Sequence, residues 1–187
     1  EAVAANTLFR VWLDLLIPCN LRCRHCYLDF SEKDIVPFPE VCSYMDQLAE
    51  HGCPELVLTG GEIFLRKDLL DIVAYAESKG FLFDLYTNAN FIDKKKADQL
   101  AKYAITTVQI SIYGTTAPIH EAVTKKAGTF EKSITAAKLL IDVLPAAASV
   151  TLIASTFPSR SCASASSLPA VADNGGTISA VITNRPA

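Results

Sequence analysis

Short apolar segments alternate with amphipathic segments along most of this 187-residue chain, and this alternation constrains the fold most. Strands are predicted at residues 10–17, 55–59, 81–86, 106–112 and 149–154. Helices are predicted to begin at Phe38, after a capping Asp68, at Asp93 and at Thr129. Because strands joined by helical crossovers pair in parallel, we expect an α/β fold with a parallel sheet.

The residues that follow the predicted strands are the candidate functional residues. All strands of a parallel sheet end at the same rim, where ligands bind in barrels and in open α/β sheets. Four groups fall on this rim, namely residues 19–26, 60–62, 87–88 and 111–114. We therefore expect one site built from these four groups.

Three cysteines follow the first predicted strand in one short loop, at Cys19, Cys23 and Cys26. Thiolates are soft ligands that suit zinc, copper(I) or an iron-sulfur cluster. Three thiolates can hold three corners of a cubane cluster, and the fourth iron is then left open to a substrate or cofactor. His25 offers an alternative interpretation, a structural zinc site with three cysteines and one histidine.

Gly60, Gly61 and Glu62 directly follow the second predicted strand. Glycines lack the Cβ atoms that would keep a ligand away from the backbone, so their carbonyl oxygens can meet an ammonium group. The Glu62 carboxylate would add a negative charge beside that group. Taken without the cysteines, the pair of glycines is more simply a turn.

The cysteine triplet together with the Gly-Gly-Glu motif and residues 86–88 and 108–114 resembles the radical S-adenosylmethionine (SAM) enzymes. The resemblance covers residue 13 to about residue 144 and is closest to the branch that modifies peptides and proteins. It implies a partial parallel (β/α)6-type barrel over residues 1–155. It also implies a [4Fe-4S] cluster held by the cysteines and a SAM site formed by His25, Gly60, Gly61, Glu62, Asn88 and Ser111.

The resemblance further implies an activity. The cluster would cleave SAM reductively to a 5'-deoxyadenosyl radical, which would abstract hydrogen from a peptide or protein substrate. An electron donor such as a flavodoxin or ferredoxin would be a partner. The family's proline after the glutamate is replaced by Ile63, its adenine-binding motif is not recognisable in residues 150–155, and the residues that act on substrate are unknown.

Residues 156–187 form a low-charge tail rich in Ala and Ser, in which we predict that the last unit of the barrel is missing or irregular. Only residues 177–183 look strand-like. Beyond Cys53 the only cysteine is Cys162, so the extra clusters of the peptide-modifying branch cannot form here. A truncated, inactive barrel is therefore a further alternative, and the start at Glu1 looks like that of a fragment.

Composition limits the kinds of binding partner and the cellular compartment that we expect. A net charge of -3 gives no reason to expect nucleic acid or an anionic membrane, and no apolar stretch is long enough to span a bilayer. Six cysteines without a secretory signal predict a reducing cytoplasm. Cys42 and Cys53 are predicted to be small core residues, and His120 and Lys125 to lie in a solvated loop.

Overall fold

A single parallel sheet forms the centre of the computed structural model, which describes residues 8–154 and 178–182. Each strand pairs with the next one in the chain, in the order β1 to β6, and every pair is parallel. This confirms the predicted α/β class and is the strand order of a partial barrel. The strands are β1 Arg10–Asp14, β2 Glu55–Thr59, β3 Leu82–Thr87, β4 Ile105–Ser111, β5 Ser149–Ala154 and β6 Ile178–Ile182.

Within residues 8–154, five helices lie between the strands: α1 Phe38–Glu50, α2 Leu69–Ser78, α3 Lys94–Leu100, α4 Ala117–Thr124 and α5 Thr129–Val143. All but α4 agree with the sequence-based prediction. Asp93 caps α3 through the Lys96 N–H, whereas the predicted cap Asp68 makes no capping hydrogen bond because its carboxylate pairs with Arg66. A short 3₁₀ turn, Ile63–Leu65, follows β2.

The core lies between the sheet and the helices. Fully buried side chains come from both layers, for example Leu58 and Leu85 on the strands and Met45, Ile72 and Leu140 on the helices. Each fully buried side chain of this size contributes roughly 1.5–3 kcal/mol through the hydrophobic effect. The sheet therefore offers a rigid base for the loops that leave its C-terminal edge.

The segment after β4 differs from the prediction. His120 does not lie in a solvated loop, because residues 117–124 form α4 and His120 is only 1% exposed. Lys125, as predicted, is exposed in the turn that follows this helix. Lys125 ends this helix in a left-handed conformation with φ of 56°. At eight residues α4 is too short to show a clear helical period, so its position depends on tertiary packing.

A sixth strand is added at the edge of the sheet. β6 pairs in parallel with β5 over residues 178–182, inside the stretch 177–183 that looks strand-like in the sequence. The connection at residues 155–177 and the end at 183–187 lie outside the described residues, so the division at residue 155 stays a prediction. No helix in the described part of the chain is long and apolar enough to cross a membrane.

The two other cysteines of the first half differ in burial. Cys53 is buried, as predicted, and packs in the core. Cys42 is only half-buried on α1, so its prediction as a core residue is wrong. Cys42 therefore offers a cysteine outside the rim that can be changed without opening the core.

Candidate active site at the sheet rim

The cysteine loop, residues 15–36, is closed at its base by hydrogen bonds between its two ends. Leu16 forms an antiparallel bridge with Ile35, the Ile17 N–H donates to Asp34 O at 2.9 Å, and the Val36 N–H donates to Leu15 O at 3.1 Å. These bonds explain why β1 ends at Asp14 and not at residue 17. The three cysteines are thus carried on a loop with a fixed base.

A buried arginine, Arg66, forms hydrogen bonds to both ends of the cysteine loop. Arg66 donates from Nη1 to Leu15 O at 2.8 Å and to Val36 O at 2.7 Å, and it pairs with Asp68. Its side chain is 1% exposed. Arg66 therefore joins both ends of the cysteine loop to the start of α2, a role that no local sequence pattern indicated.

Helix α4 supports the other side of the cysteine loop. The Arg24 N–H donates to Val123 O at 3.0 Å, and the Arg22 N–H donates to Thr124 O at 3.5 Å. The last carbonyl groups of a helix have no partner inside the helix, so these bonds satisfy otherwise unpaired acceptors. Helix α4, which was not predicted from the sequence, therefore supports the cysteine loop through these hydrogen bonds.

Cys19, Cys23 and Cys26 are all free thiols and all half-buried. Burial raises the pKa of Cys23 to about 11, and the negative charges of Cys19 and Cys26 add to this effect. Burial likewise raises the pKa of Cys19. Cys19 and Cys23 therefore become thiolates more readily beside a cation, such as a metal ion, than in its absence.

The three thiols are not gathered around one point. Within the described residues, no three His, Cys, Asp or Glu side chains are placed to hold a single metal ion. A cluster differs in this respect, because each thiolate binds a different iron and the sulfurs need not meet at one point. The cluster and zinc interpretations of these cysteines therefore both stay predictions.

The two glycines after β2 are required by the cysteine loop itself. A Cβ on Gly61 would lie 2.3 Å from both Ile17 O and Pro18 O, and a Cβ on Gly60 would lie 2.5 Å from Leu16 O. The Gly61 N–H donates to Leu16 O at 2.8 Å. We expected the missing side chains to make room for a ligand, and the structure shows that they make room for the backbone that leads to Cys19.

Glu62 is fully buried and accepts three hydrogen bonds. Its Oε1 accepts from Thr87 Oγ1 at 2.6 Å and from the Phe64 N–H at 3.1 Å, and its Oε2 accepts from the Asn88 N–H at 2.8 Å. Burial raises the pKa of Glu62 above its ordinary value, and the hydrogen bonds from these donors offset only part of that rise. Its carboxylate therefore ties the loop after β2 to the end of β3.

Asn88 is directed toward the cysteine loop. Its Nδ2 donates to Asn20 Oδ1 at 2.8 Å and to Cys19 Sγ at 3.8 Å, and its Oδ1 accepts from the Asn90 N–H at 3.0 Å. The structure thus brings two predicted rim residues, Asn88 and Cys19, into contact. Asn20 and Asn90 were not predicted, although an Asn-x-Asn sequence at a strand end is a recognisable turn signal.

A row of rings runs from the cysteine loop to α5. His25 meets Tyr113 edge-on at 4.6 Å, Tyr113 stacks on His120 at 5.6 Å, and His120 contacts Phe130 at 5.7 Å between centroids. The Tyr113 N–H donates to His120 Nδ1 at 3.2 Å. Burial raises the pKa of Tyr113, and its hydrogen bond with the half-buried Ser111 lowers it.

Three free thiols, a Gly-Gly turn and a buried carboxylate at the C-terminal rim of a parallel sheet define a cofactor-binding α/β protein of the barrel class. A family model described as the radical SAM superfamily matches residues 18–158. The chain belongs to the radical SAM superfamily. This superfamily uses a [4Fe-4S] cluster and SAM, which confirms the two predicted cofactors.

Related proteins fall into two groups. Fe-coproporphyrin III synthase of Methanosarcina barkeri is 35% identical over 99 residues, which are 51% of this chain and 25% of that protein. PqqA peptide cyclase of Bradyrhizobium diazoefficiens is 30% identical over 132 residues, which are 68% of this chain and 34% of that protein. These relatives are enzymes, and the chain spans only about a quarter to a third of their length.

Solved structures confirm the fold. Streptococcus suis SuiB bound to the precursor peptide SuiA matches with a TM-score of 0.70 at 19% identity, covering 82% of this chain and 35% of SuiB. SuiB bound to SAM matches with the same TM-score and identity. The similarity shows that this chain has the sheet and helices of a radical SAM core.

Proposed function

We propose that this chain is the catalytic core of a radical SAM enzyme that acts on a peptide or protein. Cys19, Cys23 and Cys26 hold the cluster, and SAM binds beside them against the Gly60–Gly61 turn. The observation that supports this most is the loop of three free thiols held directly against that turn. When bound, the cluster supplies the electron that cleaves SAM to methionine and a 5'-deoxyadenosyl radical for hydrogen abstraction.

The chain's own residues position the cofactors and exclude water. The carbonyl oxygens of Gly60 and Gly61 would accept hydrogen bonds from the ammonium group of SAM and so hold the cofactor beside the cysteine loop. Glu62 keeps this turn in place through β3 instead of contacting the ammonium directly, because its carboxylate is fully buried and hydrogen-bonded to Thr87, Phe64 and Asn88. His25 and Ser111 line the adenosine side, next to Tyr113.

Two observations favour a peptide substrate. PqqA peptide cyclase is similar to this chain in sequence, and the SuiB structure with its precursor peptide has the same core fold. A porphyrin substrate is the second candidate, since the similarity to Fe-coproporphyrin III synthase is higher over a shorter stretch. A peptide leaves backbone Cα hydrogens for abstraction, whereas a porphyrin offers propionate side chains.

The reaction needs a reductant and a reducing environment. We place a flavodoxin or ferredoxin as the electron donor, and we place the protein in the cytoplasm. The free thiols at the rim and on α1 are consistent with a compartment in which cysteines stay reduced.

Reconstitution without oxygen tests the proposal. We expect about four irons per chain and a brown protein that forms methionine and 5'-deoxyadenosine from SAM after chemical reduction. Cys23→Ala should lose the iron and the reaction, while the matched variant Cys42→Ala keeps both, since Cys42 lies on α1 away from the rim. Stoichiometric zinc without visible absorption would overturn the assignment.

A further inference from the structure

The orientation of the Asn88 side chain is fixed by a backbone donor. Its Oδ1 accepts from the Asn90 N–H at 3.0 Å, and a backbone N–H can only donate. The Nδ2 group must therefore be the one that faces Asn20 Oδ1 at 2.8 Å and Cys19 Sγ at 3.8 Å. Asn88 is 9% exposed, so packing keeps its side chain in this orientation.

Asn88 stands between two groups that are negative when ionised. Its backbone N–H donates to the Glu62 carboxylate at 2.8 Å, and its side-chain N–H faces the Cys19 sulfur. One residue thus supplies a hydrogen-bond donor to each of two groups that repel each other.

Cys19 receives more N–H donors than the other two cysteines in the hydrogen bonds of this rim. The Leu21 N–H also donates to Cys19 Sγ, at 3.4 Å. Hydrogen bonds to cysteine sulfur withdraw electron density from a cluster, so they favour its reduced state and raise its reduction potential. In a cluster held here, the Cys19 sulfur would receive two N–H donors, from Leu21 and from Asn88.

We propose that Asn88 is a positioning residue that acts through Cys19. Its side-chain N–H holds the Cys19 sulfur and raises the reduction potential of the cluster, while its backbone N–H holds Glu62. This role replaces the ribose or carboxylate contact expected from the sequence, because the only side-chain donor group of Asn88 is already engaged. The inference rests on the proposed function, in which Cys19 is a cluster ligand.

The test is the midpoint potential of the cluster in SAM-free protein, followed by electron paramagnetic resonance. Asn88→Ala removes the donor. Asn88→Asp keeps the shape and the acceptor for Asn90 but turns an oxygen toward Cys19. We expect a lower potential in Asn88→Ala and a still lower one in Asn88→Asp, with iron content retained in Asn88→Ala.

Asn90→Ala is the matched control. Asn90 lies on the same turn and donates to Asn88 O and Ser133 Oγ at 3.0 and 2.9 Å, so its loss loosens the turn without removing the donor to Cys19. Its potential should equal that of the unaltered protein. An unchanged potential in Asn88→Ala, or weaker SAM binding as its only effect, would overturn the inference and restore a direct cofactor contact.

The two proposals fail in different ways. If the unaltered protein takes up no cluster at all, the proposed function is wrong. If the cluster forms in the unaltered protein and its potential does not respond to Asn88, only the role of Asn88 is wrong.

Discussion

The hydroxyl of Thr87 donates a 2.6 Å hydrogen bond to the buried carboxylate of Glu62. The direction of this bond is set because Thr87 Oγ1 already accepts from the Ala89 N–H at 2.8 Å, so its own hydrogen is available to Glu62. The bond joins the loop after β2 to the end of β3. The glutamate of the rim motif is thus a structural connection between two strand ends.

Replacing Glu62 by Gln should destabilise the protein. The amide oxygen can keep the bonds from Thr87 and Phe64, but the amide nitrogen then faces the Asn88 N–H, donor against donor. We expect a loss of about 1–3 kcal/mol in the free energy of unfolding, measured in urea. Glu77→Gln, at an exposed carboxylate bonded to the Ala104 N–H, should change it by less than about 0.5 kcal/mol.

Gly61→Ala should disturb the cysteine loop as well as the SAM site. The new Cβ would meet Ile17 O and Pro18 O at 2.3 Å, so the backbone leading to Cys19 must move. We expect reduced iron loading and a stability loss of about 1–3 kcal/mol. Full iron loading with weaker SAM binding alone would instead support the sequence-based expectation that the glycine makes room for the ligand.

Gly52→Ala is the control for that experiment. Gly52 has φ of 72°, but a Cβ added to it would have no atom within 4 Å. Its replacement should cost about 1 kcal/mol through backbone strain and leave iron loading unchanged. A similar loss of iron in both variants would mean that general destabilisation, and not contact with the cysteine loop, is the cause.

Arg66→Met should remove the hydrogen bonds that hold the two ends of the cysteine loop together. Leu15 O and Val36 O would lose the donor that Arg66 provides inside the protein. Unfolding in urea should show a loss of roughly 3 kcal/mol or more. Lys79→Met, which breaks an ion pair with Asp46 between half-exposed side chains, should cost only about 0–1 kcal/mol.

His120 should make the fold sensitive to acid. Burial lowers its pKa in the folded protein below the ordinary value of 6.5, and the charge of Glu121 opposes this only in part. The unfolded chain therefore binds the proton more readily, so stability is complete above pH 6.5 and falls as the pH drops toward the folded pKa.

The variant His120→Asn keeps an acceptor for the Tyr113 N–H and removes this titration. Between about pH 7.5 and about pH 5.5 its free energy of unfolding should fall less than that of the unaltered protein. Equal slopes in the two proteins would show that His120 binds protons equally well in the folded and unfolded states.

The local pattern of apolar residues was enough to predict most of the strands and helices. The apolar strands and the helical period of α1, α2, α3 and α5 depend on neighbours close in sequence, so they could be recognised without a structure. The rim followed from parallel pairing, and it brought Cys19, Gly61 and Asn88 to one edge. The three thiols left zinc, copper(I) and an iron-sulfur cluster open, and the choice of the cluster and SAM came from the resemblance to the radical SAM enzymes.

The contacts across the rim depended on tertiary structure. Helix α4 is short, and its C-terminal carbonyl groups are satisfied by Arg22 and Arg24, which precede it by about a hundred residues in the chain. Arg66, Glu62 and Asn88 find their partners on other strand-end loops. Each of these polar groups had to be paired once it was buried, and which partner it met was decided only when the strands had assembled the rim.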